Sequence, residues 1–188
     1  TILKNKNITY FRFLINHTKL NSSYLNYKKK IYDCKILENN LGIFQETVIL
    51  FLQIKEMFKI ILLKKNRKLR HFSQFLLMSL FDSQTKFSIR IYFIIRNYIK
   101  KINPDILIFT HEGHGWERLS IKAAKDLNKN IKCIGYQHIM MSKYNFSLLR
   151  KIKGNYNPDI IWSNGIISKD ILVKSNKLNN VKILKTGY

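Results

Sequence analysis

The chain holds two cysteines, two prolines, seven glycines and 11 acidic residues among its 188. Each shortage removes a class of function. Cys34 and Cys133 lie far apart and form no C-x-x-C pattern, which argues against a disulfide framework or zinc ribbon and for a reducing compartment. The glycines build neither a Walker loop nor a complete dinucleotide fingerprint. Gly-x-Ser-x-Gly is absent as well, so an acyl-transfer hydrolase would have no nucleophile elbow. The most apolar stretch, "LGIFQETVILFLQIKEMFKIILLKK", is broken by Glu46, Gln53, Lys55, Glu56 and Lys59, whereas a bilayer span needs ~20 mainly apolar residues. The opening "TILKNKNITYFRFL" lacks the order of a signal peptide. A start at Thr1 and an end at "KILKTGY" lead us to expect a fragment.

The scarcity of acids leaves a surplus that the chain cannot neutralise internally: 34 Lys and Arg face 11 Asp and Glu, a formal charge of +23. An anionic neighbour is expected. Nucleic acid, an anionic membrane surface and a phosphorylated substrate all qualify. Of the basic residues 27 are Lys, while nucleic-acid readers lean on the planar fork of Arg. Lys, Asn, Ile, Phe and Tyr are also the residues of AT-rich codons, a second source for part of the excess. With 46% apolar residues the chain can bury one sizeable core.

Residues 1–103 read as mixed and then mainly helical. "ITYFRFLI" suits a strand. Residues 41–65 have a helical period, with charges on one face and Phe44, Phe51, Ile54, Phe58 and Ile61 toward the other, expected to face the core. The alternative is a helix on a membrane surface, because the basic "KKNRKLR" follows directly. A further helix is expected over about residues 85–102, stopping before Pro104. From residue 104 the rhythm becomes that of an α/β fold. "PDILIF", "IKCIGY", "PDIIWS" and "VKILKT" read as strands, the first buried on both faces. Trp116, Leu119, Ala123, Ala124 and Leu127 mark a helix after the first, and "GIISKDILVKS" one after the third. The alternation predicts one parallel sheet over residues 105–110, 131–136, 159–163 and 181–186. Pro104-Asp105 and Pro158-Asp159 make the third strand an echo of the first.

This frame brings the chemistry-bearing residues to one sheet edge. His111 and Glu112 leave the first strand, Gln137 and His138 the second, Ser163, Asn164 and Gly165 the third, and Gly187 the fourth. Open α/β sheets bind ligands outside those carboxyl ends. His111, His114 and Glu117 lack the spacing of a zinc-protease helix, so no metal is expected. Gly113 and Gly115, opening a helix, could let backbone N–H groups approach a phosphate. Glu112 has the makings of a general base, with the imidazoles of His114 and His138 in reach of the same crevice. Its alternative role is that of a carboxylate favouring the helix dipole, and Glu117 is more exposed to that reading. Arg118 either faces solvent or binds an anion.

"EGHGWER", then "CIGYQH", then "PDIIWSNG" together resemble bacterial surface-carbohydrate biosynthesis proteins of the capsule and O-antigen type, whose architecture is that of GT-B glycosyltransferases. The resemblance covers about residues 80–188 and rests most on E-G-H-x-W-E-R with G-Y-Q-H. It implies a Rossmann-like parallel sheet flanked by helices, the acceptor-side half of a two-domain enzyme, with the half that holds the nucleotide-sugar donor lying beyond this sequence. The expected setting is cytoplasmic, at the inner face of the membrane, with a lipid-linked saccharide as acceptor and anionic lipid meeting the basic surface. Glu112 and His138 are the expected catalytic residues. His111, Gly113, His114, Arg118, Gln137, Ser163, Asn164 and Gly165 are the expected substrate contacts, and no metal or other cofactor is needed. These residues alone are expected to transfer no sugar. A non-catalytic, membrane-associated binding module on the same fold is the alternative, and a nucleic-acid binder a more distant one.

Overall fold

The computed structural model describes residues 11–14, 35–36, 41–63, 69–141, 147–150, 152, 154–178 and 180–186. The chain divides into two units, Thr1–Asn40 and Leu41–Tyr188. In the first, strand β1 (Phe13–Leu14) pairs in parallel with β2 (Lys35–Ile36). Of the strand expected over residues 8–15, these two residues of β1 are strand, Phe11 and Arg12 are not, and the rest lies outside the described residues.

The second unit runs α1 (Ile43–Leu63), α2 (Arg70–Leu80), α3 (Ser83–Ile102), β3 (Ile106–Thr110), α4 (Gly115–Leu127), β4 (Lys132–Gln137), β5 (Ile160–Asn164), α5 (Gly165–Lys174) and β6 (Lys182–Thr186). Local chemistry sets the limits of α3. The Asp82 carboxylate accepts the N–H of Gln84 at 3.0 Å and caps its start. At its end Asn103 turns into the left-handed region (φ 46°), its N–H still bonded to Ile99 O, and Pro104 forbids another turn.

Strands β3, β4, β5 and β6 form one parallel sheet in sequence order, as the alternation of apolar runs and helical periods predicts. The Pro-Asp echo has a backbone counterpart: Asp105 O accepts Lys132 N at 2.9 Å, and Asp159 O accepts Lys182 N at 3.0 Å. Asp159 does more with its side chain. Its Oδ2 takes the Cys133 N–H at 2.7 Å and Lys125 Nζ at 2.7 Å, tying the starts of β4 and β5 to the end of α4.

The helices gather on one face of the sheet. Leu107, Phe109 and Cys133 pack with Ile99 of α3 and Ile121 and Ala124 of α4, and Ile161 and Ile183 pack with Leu172 of α5. The register sets Leu107 beside Cys133 and Gly135 beside Ile161, so these residues share a face. Neighbours in sequence order step the same way across the sheet, and crossovers of one hand then cover one side. The expectation that β3 is buried on both faces is therefore corrected: its burial alternates, and Ile106 and Ile108 are 51% and 55% exposed on the other face.

Helix α1 corrects a second expectation. Phe44, Phe51, Phe58 and Ile61 are 79%, 66%, 60% and 42% exposed, while Ile49 and Gln53 are buried. The helix docks through polar groups on its inner side: Gln53 Nε2 donates to Leu80 O at 2.9 Å, Gln45 Nε2 to Asn97 Oδ1 at 3.1 Å, and Arg90 pairs with Glu46. No described helix is long and apolar enough to cross a membrane.

The Asp159 junction gives a direct test. Asp159→Ala leaves the Cys133 N–H without its acceptor and the mostly buried Lys125 ammonium without its carboxylate, though still bonded to Ile131 O at 2.8 Å. It should lower unfolding free energy by roughly 1–3 kcal/mol. Urea unfolding followed by circular dichroism reads the shift, and an unchanged midpoint would show the junction to be inert.

Candidate functional site at the carboxyl edge of the sheet

The segment joining β3 to α4 is organised by one carboxylate. Glu117 stands at the third position of α4, and its Oε2 accepts the backbone N–H groups of Glu112, Gly113 and His114 at 2.8, 2.7 and 2.8 Å. It is 1% exposed. The reach back to His114, the residue that caps the helix, is one half of a capping box. Those three N–H groups are thereby occupied by the protein's own acid and are not open to a phosphate.

Gly113 is required twice over. Its φ is +85°, a region that L side chains avoid. A Cβ there would also lie 2.5 Å from the carbonyl carbon of Ser147. The same approach is fixed from the other side. Arg118 Nε donates to Gly113 O at 3.4 Å, and its terminal nitrogens donate to Asn157 Oδ1 at 2.5 Å and Ser147 O at 2.8 Å. Ser147 Oγ donates to Glu112 O at 2.7 Å. The Arg118 guanidinium, expected to face solvent or bind an anion, is 5% exposed and holds protein oxygens instead.

With its backbone clamped, Glu112 turns its carboxylate along the sheet edge. Oε1 accepts His138 N at 2.9 Å and Ile139 N at 3.1 Å, and lies 3.0 Å from His138 Nδ1. No described residue donates to its Oε2. The His138 ring stacks on Tyr136, with centroids 6.5 Å apart and planes 28° off parallel, and its side chain is 48% exposed. Glu112, 8% exposed, and His138 are thus in contact as a pair at the sheet edge. His114 is exposed at the start of α4, and no described hydrogen bond joins its ring to either of them.

The remaining expected residues stitch the strand ends in order. Asn164 Nδ2 donates to His138 O at 2.9 Å, and Asn164 N to Gln137 Oε1 at 3.1 Å. Thr186 Oγ1 donates to Ser163 O at 3.1 Å, and Ser163 Oγ to Leu184 O at 3.2 Å. His111, Gln137 and Ser163 are buried at 1%, 0% and 0% exposure. Gly165 begins α5 with φ +81°. Gly187 lies outside the described residues. Ser147, Asn157 and Tyr136 were not singled out in the sequence. The first two lie in or beside the loop between β4 and β5, where no periodicity marks a residue. The reach of Glu117 could have been found, since an acid three residues after a helix cap is a known pattern.

Two buried groups have shifted protonation. Burial, helped by the charges of Arg118 and His114, lowers the His111 pKa to about 3, so its ring is neutral. It packs against Gly135, where a Cβ would meet His111 Cβ at 2.6 Å, and its Nδ1, 3.5 Å from Glu117 Oε2, makes no hydrogen bond among the described residues. Burial raises Glu117 to about 7, against the pull of its three N–H donors, and the neighbouring Glu112 raises it further. No group of three or more His, Cys, Asp or Glu able to hold a metal occurs among the described residues. A cleft of about 580 Å³ lies elsewhere, lined by Lys59, Leu63, Leu76, Leu80 and Thr85 among others. Compared with known proteins, the chain matches no family model, no curated protein and no solved structure.

Two outcomes test this construction. Gly113→Ala must accommodate both the positive φ and the collision with Ser147, and should destabilise by more than about 1 kcal/mol in urea unfolding; a neutral result would mean that the turn relaxes freely. Glu117 supplies a pH dependence. A carboxyl raised from 4.5 to about 7 binds its proton more tightly in the folded chain than in the unfolded one. Its contribution is therefore full below 4.5 and is lost as pH rises toward 7. Glu117→Gln keeps an acceptor oxygen but cannot ionise. Relative to wild type, the variant should gain stability as pH rises from 5 to 8, measured by unfolding at each pH, and a constant difference would place the titration outside that window.

Proposed function

We propose that this chain is the acceptor-side domain of a glycosyltransferase that moves a sugar from a nucleotide-sugar during surface polysaccharide biosynthesis, with Glu112 as the general base. The observation that carries the reading is the carboxylate of Glu112: Oε1 is held by His138 and Ile139, and Oε2 carries no donor from any described residue. A general base needs an oxygen free to take a proton and a second contact that keeps it steady. In the proposed step Oε2 takes the proton of an acceptor hydroxyl, the hydroxyl oxygen bonds to the anomeric carbon, and the bond from that carbon to the nucleotide diphosphate breaks. His138 orients the carboxylate through Nδ1 and offers its other ring nitrogen to substrate. The donor diphosphate would be held by a second domain, and the acceptor, a saccharide linked to lipid, would be met at the inner face of the membrane.

The alternative, a membrane-associated binding module without catalysis, draws on the enclosure of His111, Arg118, Gln137 and Ser163, which leaves few of the expected contacts open to a ligand. One substitution separates the two. Glu112→Gln retains a carbonyl oxygen for the His138 and Ile139 N–H groups but cannot accept a proton. In the full-length polypeptide, assayed for sugar transfer from nucleotide-sugars to a lipid-pyrophosphate acceptor, turnover should fall roughly 100-fold or more with the fold unchanged by circular dichroism. Turnover within a few-fold of wild type would return Glu112 to a structural role.

A further inference from the structure

The outer side of α1 is its most apolar side. Phe44, Phe51, Phe58 and Leu62 recur at steps of seven, seven and four residues, so they line one stripe of a helix with 3.6 residues per turn. They are 79%, 66%, 60% and 62% exposed, and the buried Ile49 and Gln53 lie on the opposite side. Lys55 is exposed within the stripe. The next helix adds Phe75 and Met78, 67% and 79% exposed. Singly exposed apolar residues need no explanation, but a row of phenylalanines facing water marks a surface that meets something apolar.

Charge decides what that something is. The two acids of α1 are both neutralised, Glu46 by Arg90 and Glu56 by Lys59 at 2.6 Å. From residue 57 to residue 81 the sequence has no Asp or Glu and six Lys or Arg, Lys59, Lys64, Lys65, Arg67, Lys68 and Arg70. A second copy of the chain would bring the same positive charge to the same place, at a cost in repulsion. An apolar stripe with cations and no free acid, on a helix that does not qualify as a membrane span, is the composition of an element lying in the plane of an anionic bilayer.

We infer that α1 is the membrane-docking element of this protein, seating Phe44, Phe51, Phe58 and Leu62 among acyl chains while the neighbouring Lys and Arg meet anionic headgroups. This builds on the peripheral-membrane part of the proposed function and is independent of the transfer chemistry at Glu112. Two terms hold the surface down. The apolar stripe supplies insertion, which salt does not weaken, and the cations supply attraction to anionic headgroups, which salt screens.

Flotation of the full chain with phosphatidylcholine vesicles, with and without phosphatidylglycerol, tests the inference. Wild type should bind the anionic vesicles more tightly, and less so at high salt. The triple variant F44S/F51S/F58S should bind them at least about tenfold more weakly, and Val173→Ser, on an exposed position of α5, should bind as wild type does. Because the triple variant changes three positions, Phe51→Trp provides a gentler probe whose emission should shift to the blue on adding anionic vesicles, beyond any shift of wild type. Undiminished binding by the triple variant, or no added shift from Phe51→Trp, overturns the assignment to α1 and leaves membrane association itself standing. Failure of wild type to bind anionic vesicles overturns both. A dimer in sedimentation that the triple variant dissolves, without vesicle binding, would show that the stripe meets a second copy.

Discussion

The buried carboxylate of Glu117 is the constraint on which the rest of the sheet edge depends. Three successive N–H groups, those of Glu112, Gly113 and His114, converge on one of its oxygens, and that convergence requires the left-handed turn at Gly113. The turn in turn brings the chain against Ser147, where Arg118 and the Ser147 hydroxyl close the contact from both sides. Only with its backbone fixed this way does Glu112 point toward the end of β4 and meet His138. Glu112 and Glu117, five residues apart and both buried, therefore differ in their partners: Glu117 Oε2 gathers three backbone donors of its own turn, whereas Glu112 Oε1 reaches across to the end of β4 and its Oε2 has no donor among the described residues.

Much of the α/β core was legible because its signals are local and repeated. Each strand is a short apolar run, each helix carries its period, and the two Pro-Asp pairs announce strands whose first backbone contacts are the same. The gathering of Glu112, His138, Ser163 and Asn164 at one edge follows from that alternation alone, since parallel strands put their carboxyl ends together. What the pattern could not give is which groups at the edge are free. Arg118 and Gln137 are ordinary polar residues in sequence, and only the folded loop around Ser147 and Asn157, with no periodicity of its own, encloses the first of them.

Helix α1 shows a different limit. Periodicity says which residues share a face, but not which face turns inward, and the default puts the apolar side in the core. Here both sides carry apolar residues. The inner one is selected by specific partners, Leu80 O for Gln53, Asn97 for Gln45 and Arg90 for Glu46, all distant in sequence and absent from the helix's own periodicity. A buried Gln needs such a partner. The phenylalanines face outward because the polar residues have fixed contacts inside.

Sequence order within the sheet has one further consequence. With each strand beside its predecessor, the connecting helices share one face and the strand ends line up in a row, so a contact between adjacent ends can be repeated along the whole edge. The structure does repeat it: Glu112 accepts from His138, His138 accepts from Asn164, and Ser163 accepts from Thr186. Each link holds the end of one strand to the end of the next. A group at one end of such a row is held by the sheet and not by its loop alone, which is the rigidity that the base proposed at Glu112 would need, because small misplacements of a reacting group carry large penalties in rate. Glu112, 8% exposed, and the half-exposed His138 thus sit on a short scaffold whose parts, Gln137, Ser163 and Glu117, are buried.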